Sequence, residues 1–195
     1  MTTLRPGRSS MTGRVDDRLA QMASPTPRMV HLMLLLTPIT PEHLPDVQRH
    51  AAAPGIGATS YVPSPYPEDG AIAWHAVVAS RIDEGRAQVF AITEDGDFRG
   101  VMSINDIDHS AARAHLDYWV ATPYQGRGIA SLATALAMRL AGTDLQLKAM
   151  LSTCLATNIA SLRVLERNGF VAYSQALAPR GKFRGQELLH LRRRL

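Results

Sequence analysis

The sequence predicts one α/β domain, and three observations carry that prediction. Two apolar runs, 88–93 and 98–107, flank Glu94-Asp95-Gly96-Asp97, and Asp-Gly between such runs is a strong hairpin signal. A further strand, Arg113–Val120, runs into the glycine-containing turn Gln125-Gly126-Arg127-Gly128, which opens a long apolar helix over 125–141. A strand at 146–152 and a helix at 158–168 then repeat the alternation of the two element types. At 195 residues and 46% hydrophobic, the chain is long enough for one sizeable core, and it shows no internal repeat and no linker to a second domain.

The remaining elements follow in order. Residues 1–28 hold Ser9-Ser10, Ser24-Pro25 and Pro27 and read as a flexible tail or a short helix around 16–22; Met29 is an alternative start, and the domain proper runs over 29–195. Residues 32–36 form a core strand. Thr40-Pro41-Glu42 starts a helix over 41–53, with a capping threonine, proline at the first helical position and an acid in the first turn. Pro54, Gly55, Gly57, Pro63, Pro65 and Pro67 mark a loop over 54–67, longer than most connections and so a candidate functional element as well as a surface connection. Residues 68–84 carry Ile72, Val78, Ala79 and Ile82 at helical spacing, with Gly85 after them. Strands at 170–174 and 186–193 close the domain.

Composition excludes several function classes. The single cysteine, Cys154, rules out an internal disulfide, and the seven histidines form no close ligand pair, so no metal is expected. The net charge of +4 collects at the two ends, in Arg5, Arg8, Arg14, Arg18, Arg28 and in Arg192, Arg193, Arg194. No aromatic stacking platform is interleaved with them, so nucleic acid is not the expected partner. A membrane partner is not expected either. The longest apolar run is far short of the roughly twenty residues a span requires, and it lies too far from the start for a signal peptide; a cytoplasmic protein is the expectation.

The turn at 125–130 has the chemistry of an anion site. Gly126 and Gly128 lack Cβ, and the helix behind them presents unpaired amide N–H groups and the positive end of its dipole. Phosphate is the natural guest. Gln125-x-x-Gly128-x-Ala130 resembles the coenzyme A pyrophosphate loop of the GNAT superfamily of N-acetyltransferases. About thirty residues on, Asn158-Ile159-Ala160-Ser161 and the helix ending in Gly169-Phe170 resemble that superfamily's second cofactor segment. Asp106-Ile107-Asp108, Ala114 to Val120 and Tyr124 to Gly128 narrow the resemblance to the branch that includes the bacterial N-terminal acetyltransferases of ribosomal proteins, over residues 32–175.

That resemblance implies a mixed, mostly antiparallel central sheet flanked by helices, acetyl-CoA as cofactor and an amine acceptor, most simply a peptide or protein N-terminus. A homodimer is compatible with it. Cofactor contacts are implied for Val120, whose backbone would pair with the pantetheine arm; for Gln125, Gly126, Arg127, Gly128, Ile129 and Ala130 around the pyrophosphate; and for Asn158 and Ser161 along the pantetheine. Arg127 reads equally as a solvated side chain. The 41–53 and 68–84 helices would border the acceptor groove, with Glu68 and Asp69 as nearby acids.

Amine attack on a thioester needs a neutral amine, which a base provides. On the 113–120 strand, alternation sets Arg113, His115, Asp117 and Trp119 on one face. His115 and Asp117 are the candidate catalytic pair, the carboxylate raising and orienting the imidazole; a solvent-wetted polar face is the alternative reading. The resembled branch commonly has glutamate and glycine at these two positions. Leu165 occupies the position of a tyrosine acid found in many relatives, leaving Ser152 and Tyr173 as substitutes. Cys154 reads as a small buried side chain. Two other functions stay open: acetylation of a small amine such as a polyamine, an aminoglycoside or an amino acid, and a non-catalytic acyl-CoA-binding module. An unrelated nucleotide-binding domain is disfavoured because no Lys-Ser/Thr follows the glycine turn.

Overall fold

A computed structural model describes Met1, Thr2 and residues 33–195. The expectations for the tail, its short helix and Met29 lie outside the described residues. From residue 33 on, the elements are β1 Leu34–Pro38, α1 Leu44–Ala51, α2 Pro54–Thr59, α3 Gly70–Asp83, β2 Ala87–Glu94, β3 Asp97–Asp108 and β4 Arg113–Val120. After these come α4 Ile129–Thr143, β5 Ala149–Leu155, α5 Ile159–Arg167, β6 Val171–Leu177 and β7 Glu187–Arg194. Short 3-10 turns at Pro41–His43 and Thr122–Tyr124 precede α1 and the glycine turn.

The seven strands form one sheet in the order β1-β2-β3-β4-β5-β7-β6. Every neighbouring pair is antiparallel except β4 with β5. This is the mixed, mostly antiparallel sheet that the resemblance implied. The hairpin turn is as expected, with Asp95 and Gly96 at φ 52 and 88, the left-handed pair that a two-residue hairpin requires.

Helices cover both faces of the sheet. On one side α4 packs with Met102, Ile104, Leu116 and Met150 in the main core, closed by Leu165 of α5. On the other, Val47 of α1 and Ala71 and Val78 of α3 pack on Val89, Ala91 and Val101. Gly100 lets β3 and β4 lie this close: a Cβ there would stand 2.2 Å from the Trp119 carbonyl oxygen. None of the described helices is long and apolar enough to cross a membrane.

Several boundaries depart from the sequence expectation, each for a local reason. β1 runs over Leu34–Pro38 rather than 32–36, because the ladder to β2 extends through Pro38; an edge strand tolerates the missing proline N–H. The 41–53 helix is divided: Pro45 cannot donate back to the first turn, so a 3-10 turn capped through Thr40 N–H to His43 Nδ1 at 3.0 Å gives way to α1. The 54–67 loop begins with a short helix, α2. Pro54 sits in its first turn, and Ile56 is 2% exposed. Left-handed Gly126 and Gly128, φ 77 and 81, delay α4 to Ile129. Gln146 at φ 52 delays β5 to Ala149.

Candidate active site

The parallel pairing of β4 with β5 is short. It runs from Arg113↔Ala149 to His115↔Leu151, and then the strands part. At the parting point the Ser152 hydroxyl, 4% exposed as a residue, donates to the Leu116 carbonyl at 2.9 Å. A side chain thus takes over where the main-chain ladder stops, and the backbone beyond it faces a cavity of about 930 Å³. Gln125 Nε2 donates to the Val120 carbonyl at 2.9 Å. Ala121 N–H bonds to Arg99 of β3, so by strand alternation the Val120 N–H points the other way, into the gap, and is open to a ligand.

One end of the cavity is the glycine turn. Gln125, Gly126, Gly128, Ile129 and Ala130 line it, together with Ser131. Gly128 is the N-cap of the fifteen-residue α4, and no side chain caps that helix. Nothing lies within 4 Å of where a Cβ would stand on Gly126 or Gly128. Open space in front of uncapped amides fits a pyrophosphate. Arg127 lies outside the lining, with its guanidinium 5.7 Å over the Tyr124 ring. Two cations that sequence reading missed do line the cavity, Arg163 and Arg167 of α5. Their spacing of four on the helix that Asn158 opens was the available signal.

Asn158 caps α5 by accepting the Ser161 N–H at 3.1 Å, and both residues line the cavity. The Ser161 hydroxyl is 3.0 Å from the Tyr118 hydroxyl. Burial, opposed by that hydrogen bond, pushes the Tyr118 phenol up to about 12. Tyr118 is therefore a protonated donor at any physiological pH, on the cavity wall opposite α5. No local motif marks it, and the α5 position where many relatives carry a tyrosine holds the fully buried Leu165. The two substitutes weighed from sequence do not serve: Ser152 spends its hydroxyl on Leu116, and Tyr173 stands 52% exposed on β6, outside this cavity. Cys154 lines the cavity and is buried, and burial pushes its thiol up.

Across β4, the cavity continues between the sheet and α1 to α3. Asp117 lies on its floor, accepting from Asn105 Nδ2 at 2.9 Å. His115 stands behind it with Nδ1 3.7 Å from Asp117 Oδ2, an ion-pair separation rather than a hydrogen bond. Burial lowers the His115 imidazole, but the charges of Asp117 and then Asp106 outweigh it, and the net shift is upward. Asp117 moves the other way: burial is again opposed by His115, Asn105 and Arg81, and its carboxyl is held below the usual range. With 49% of the Asp117 side chain exposed, water in the groove screens much of this attraction.

The groove above Asp117 is walled by Tyr61, Tyr66, Trp74, Trp119 and Phe183, and among the described residues Asp69 is its only other acid; Glu68 does not line it. A strap roofs it. Lys182, in the β6–β7 connection, donates to the carbonyls of Gly57 at 2.6 Å and Val62, and Tyr61 meets Phe183 edge to face at 5.3 Å.

A splayed parallel strand pair, an uncapped glycine turn and an aromatic groove meet at β4. The acetyltransferase (GNAT) domain family matches over residues 33–171, and the chain belongs to it. Over 87 residues the chain is 31% identical to the ribosomal-protein-serine acetyltransferase of Escherichia coli (strain K12), 45% of this chain and 49% of that protein. The chain thus spans about half the length of the curated relatives it matches. In three dimensions it resembles RimL, a ribosomal L7/L12 α-N-protein acetyltransferase in complex with coenzyme A, with TM-score 0.75 and 19% identity over 83% of this chain and 94% of that one. It also resembles the spermidine N-acetyltransferase of Vibrio cholerae in complex with CoA and spermine, with TM-score 0.72 and 18% identity over 83% and 95%. At such identities the likeness is one of fold.

Proposed function

We propose that the protein transfers an acetyl group from acetyl-CoA to a primary amine, and that the acceptor is the N-terminus of a peptide or protein. The observation that carries the acceptor choice is the groove wall: among the described residues, five aromatic side chains and only two carboxylates, Asp69 and Asp117. A polycation needs several acids to replace its water, whereas an extended peptide needs apolar surface and main-chain partners.

Acetyl-CoA supplies an acyl group already activated as a thioester. The amides from Gly126 to Ala130, with Arg163 and Arg167, hold its pyrophosphate. The Val120 N–H, Asn158 and Ser161 orient the pantetheine between the parted strands. The amine enters from the groove, and its nitrogen attacks the thioester carbon as the C–S bond breaks. His115, with Asp117, accepts the amine proton through groove water, and the Tyr118 hydroxyl gives its proton to the departing sulfur and regains one from water. Backbone N–H groups facing the gap stabilise the negative charge on the carbonyl oxygen.

Acetyl transfer measured by CoA release across N-terminal peptides, polyamines, amino acids and aminoglycosides tests this. A kcat/KM for peptides above that for every small amine is expected. The reverse order overturns the acceptor choice and leaves acetyl transfer standing, while no turnover with any amine, despite CoA binding, favours the non-catalytic module.

A further inference from the structure

Behind His115, two polar side chains that acetyl transfer as described does not use, Thr153 and His190, continue in a line across the sheet. His115 Nε2 is 3.3 Å from the Thr153 hydroxyl, and that hydroxyl is 3.1 Å from His190 Nδ1. The residues lie on three neighbouring strands, β4, β5 and β7, with Thr153 and His190 direct register partners. His190 is half-buried, and beyond it stands Tyr173, its ring centroid 6.4 Å from that of His190 and the residue 52% exposed. We propose that Thr153 and His190 are the outward leg of a proton path that starts at the His115–Asp117 pair and ends in solvent beside β6. This rests on the reading of that pair as the base.

The need for such a path follows from the groove. Each turnover releases one proton on the acceptor side, and a peptide lying between Trp74, Trp119 and the Tyr61–Phe183 strap leaves water between its amine and His115 but closes the groove's own route to bulk solvent. A hydroxyl both donates and accepts, so between two imidazole nitrogens it passes a proton without moving a heavy atom. In the tautomers the transfer requires, His115 Nε2–H donates to Thr153 Oγ1, and Thr153 O–H donates to His190 Nδ1. A proton taken up at His115 Nδ1 lets the Nε2 proton pass to Thr153 as the threonine's own proton passes to His190. His190 then gives up a proton from Nε2 to water. One proton enters and one leaves, nothing is oxidised or reduced, and reorientation of the two imidazoles and the threonine hydroxyl restores the starting tautomers before the next turnover.

The charged groups around the line favour uptake of the proton at its inner end and release at its outer end, and the step between them runs against their field. His115 faces Asp117 on its own strand and Asp106 of β3, and Asp106 is paired in turn with Arg81 of α3. These charges sit at the inner end. At the outer end, His190 faces Tyr173 of β6, whose ring carries the Arg192 guanidinium at 5.7 Å.

The test compares full-length Thr153→Val, Thr153→Ser and His190→Gln with the unmodified chain, measuring kcat and acceptor KM against pH at low and high concentrations of imidazole buffer. Thr153→Val and His190→Gln should lower kcat about tenfold at low buffer with KM little changed, and added imidazole should restore it. Thr153→Ser should keep the original rate. Unchanged kcat with no buffer dependence in both variants, or a change confined to KM, overturns the path. Should Thr153→Val fail to fold, His190→Gln and Thr153→Ser carry the same comparison. Full activity in His115→Ala removes the base reading and the path together, whereas a crippled His115→Ala beside unaffected Thr153→Val and His190→Gln removes the path alone.

Discussion

The Ser152 hydroxyl donates to the Leu116 carbonyl at 2.9 Å across the point where β4 and β5 separate. A side-chain oxygen at the fork fixes where main-chain pairing ends, and so where the cavity between the strands begins. Ser152→Ala should cost about 1 kcal/mol of stability, the ordinary value of one such bond, and raise the cofactor KM more than it lowers kcat. Denaturant unfolding with steady-state kinetics checks both. A loss of kcat of about a hundredfold or more at unchanged stability would instead make Ser152 a proton donor.

Gly128→Glu should abolish CoA binding while the domain still folds. The space in front of Gly128 is open, so the side chain meets no protein atom; the penalty at φ 81 is a local strain of roughly 1–2 kcal/mol. The added carboxylate, however, occupies and repels the phosphate position. Calorimetric titration with CoA and a thermal melt separate the two effects, and unchanged affinity would relocate the cofactor.

His115 must be neutral to accept a proton, and its pKa lies above the ordinary histidine value. The rate should therefore rise with pH through a midpoint above about 6.5. Stability runs the opposite way. A pKa raised by folding contributes stability that is fully present below about 6.5 and is lost as pH rises through the folded value. His115→Ala should lower kcat roughly 10²–10⁴-fold and flatten both profiles. An unaltered rate profile in that variant would assign the pair to a wetted polar surface.

With its phenol at about 12, Tyr118 stays protonated across the working range. Tyr118→Phe should lower kcat by about tenfold or more with cofactor affinity nearly intact, and no alkaline fall of the unmodified enzyme should come from this residue below that value. A Phe variant with full kcat would leave protonation of the sulfur to water.

Local signals in the chain determined the hairpin, β4, the capped helix α5 and the glycine turn. Each of these depends on neighbours within a few residues: Asp95-Gly96 for the turn, Asn158 for the cap, Gly126 and Gly128 for the left-handed bends. The glycine turn at 125–130, with the uncapped amides behind it, was legible for the same reason, since such a turn is built from contiguous backbone.

What only the tertiary structure decided are pairs far apart in sequence. That Pro54-Gly55-Ile56-Gly57 coils into α2 depends on the burial of Ile56 and on Ser64 folding against Gly57. That the 54–67 segment is held as a roof depends on Lys182, more than a hundred residues away. That Tyr118 faces Ser161, that Arg163 and Arg167 face the cavity and that Thr153 links two histidines are properties of strand register and helix docking. Register is set by burial of whole sheet faces, a sum over many residues that no local motif encodes.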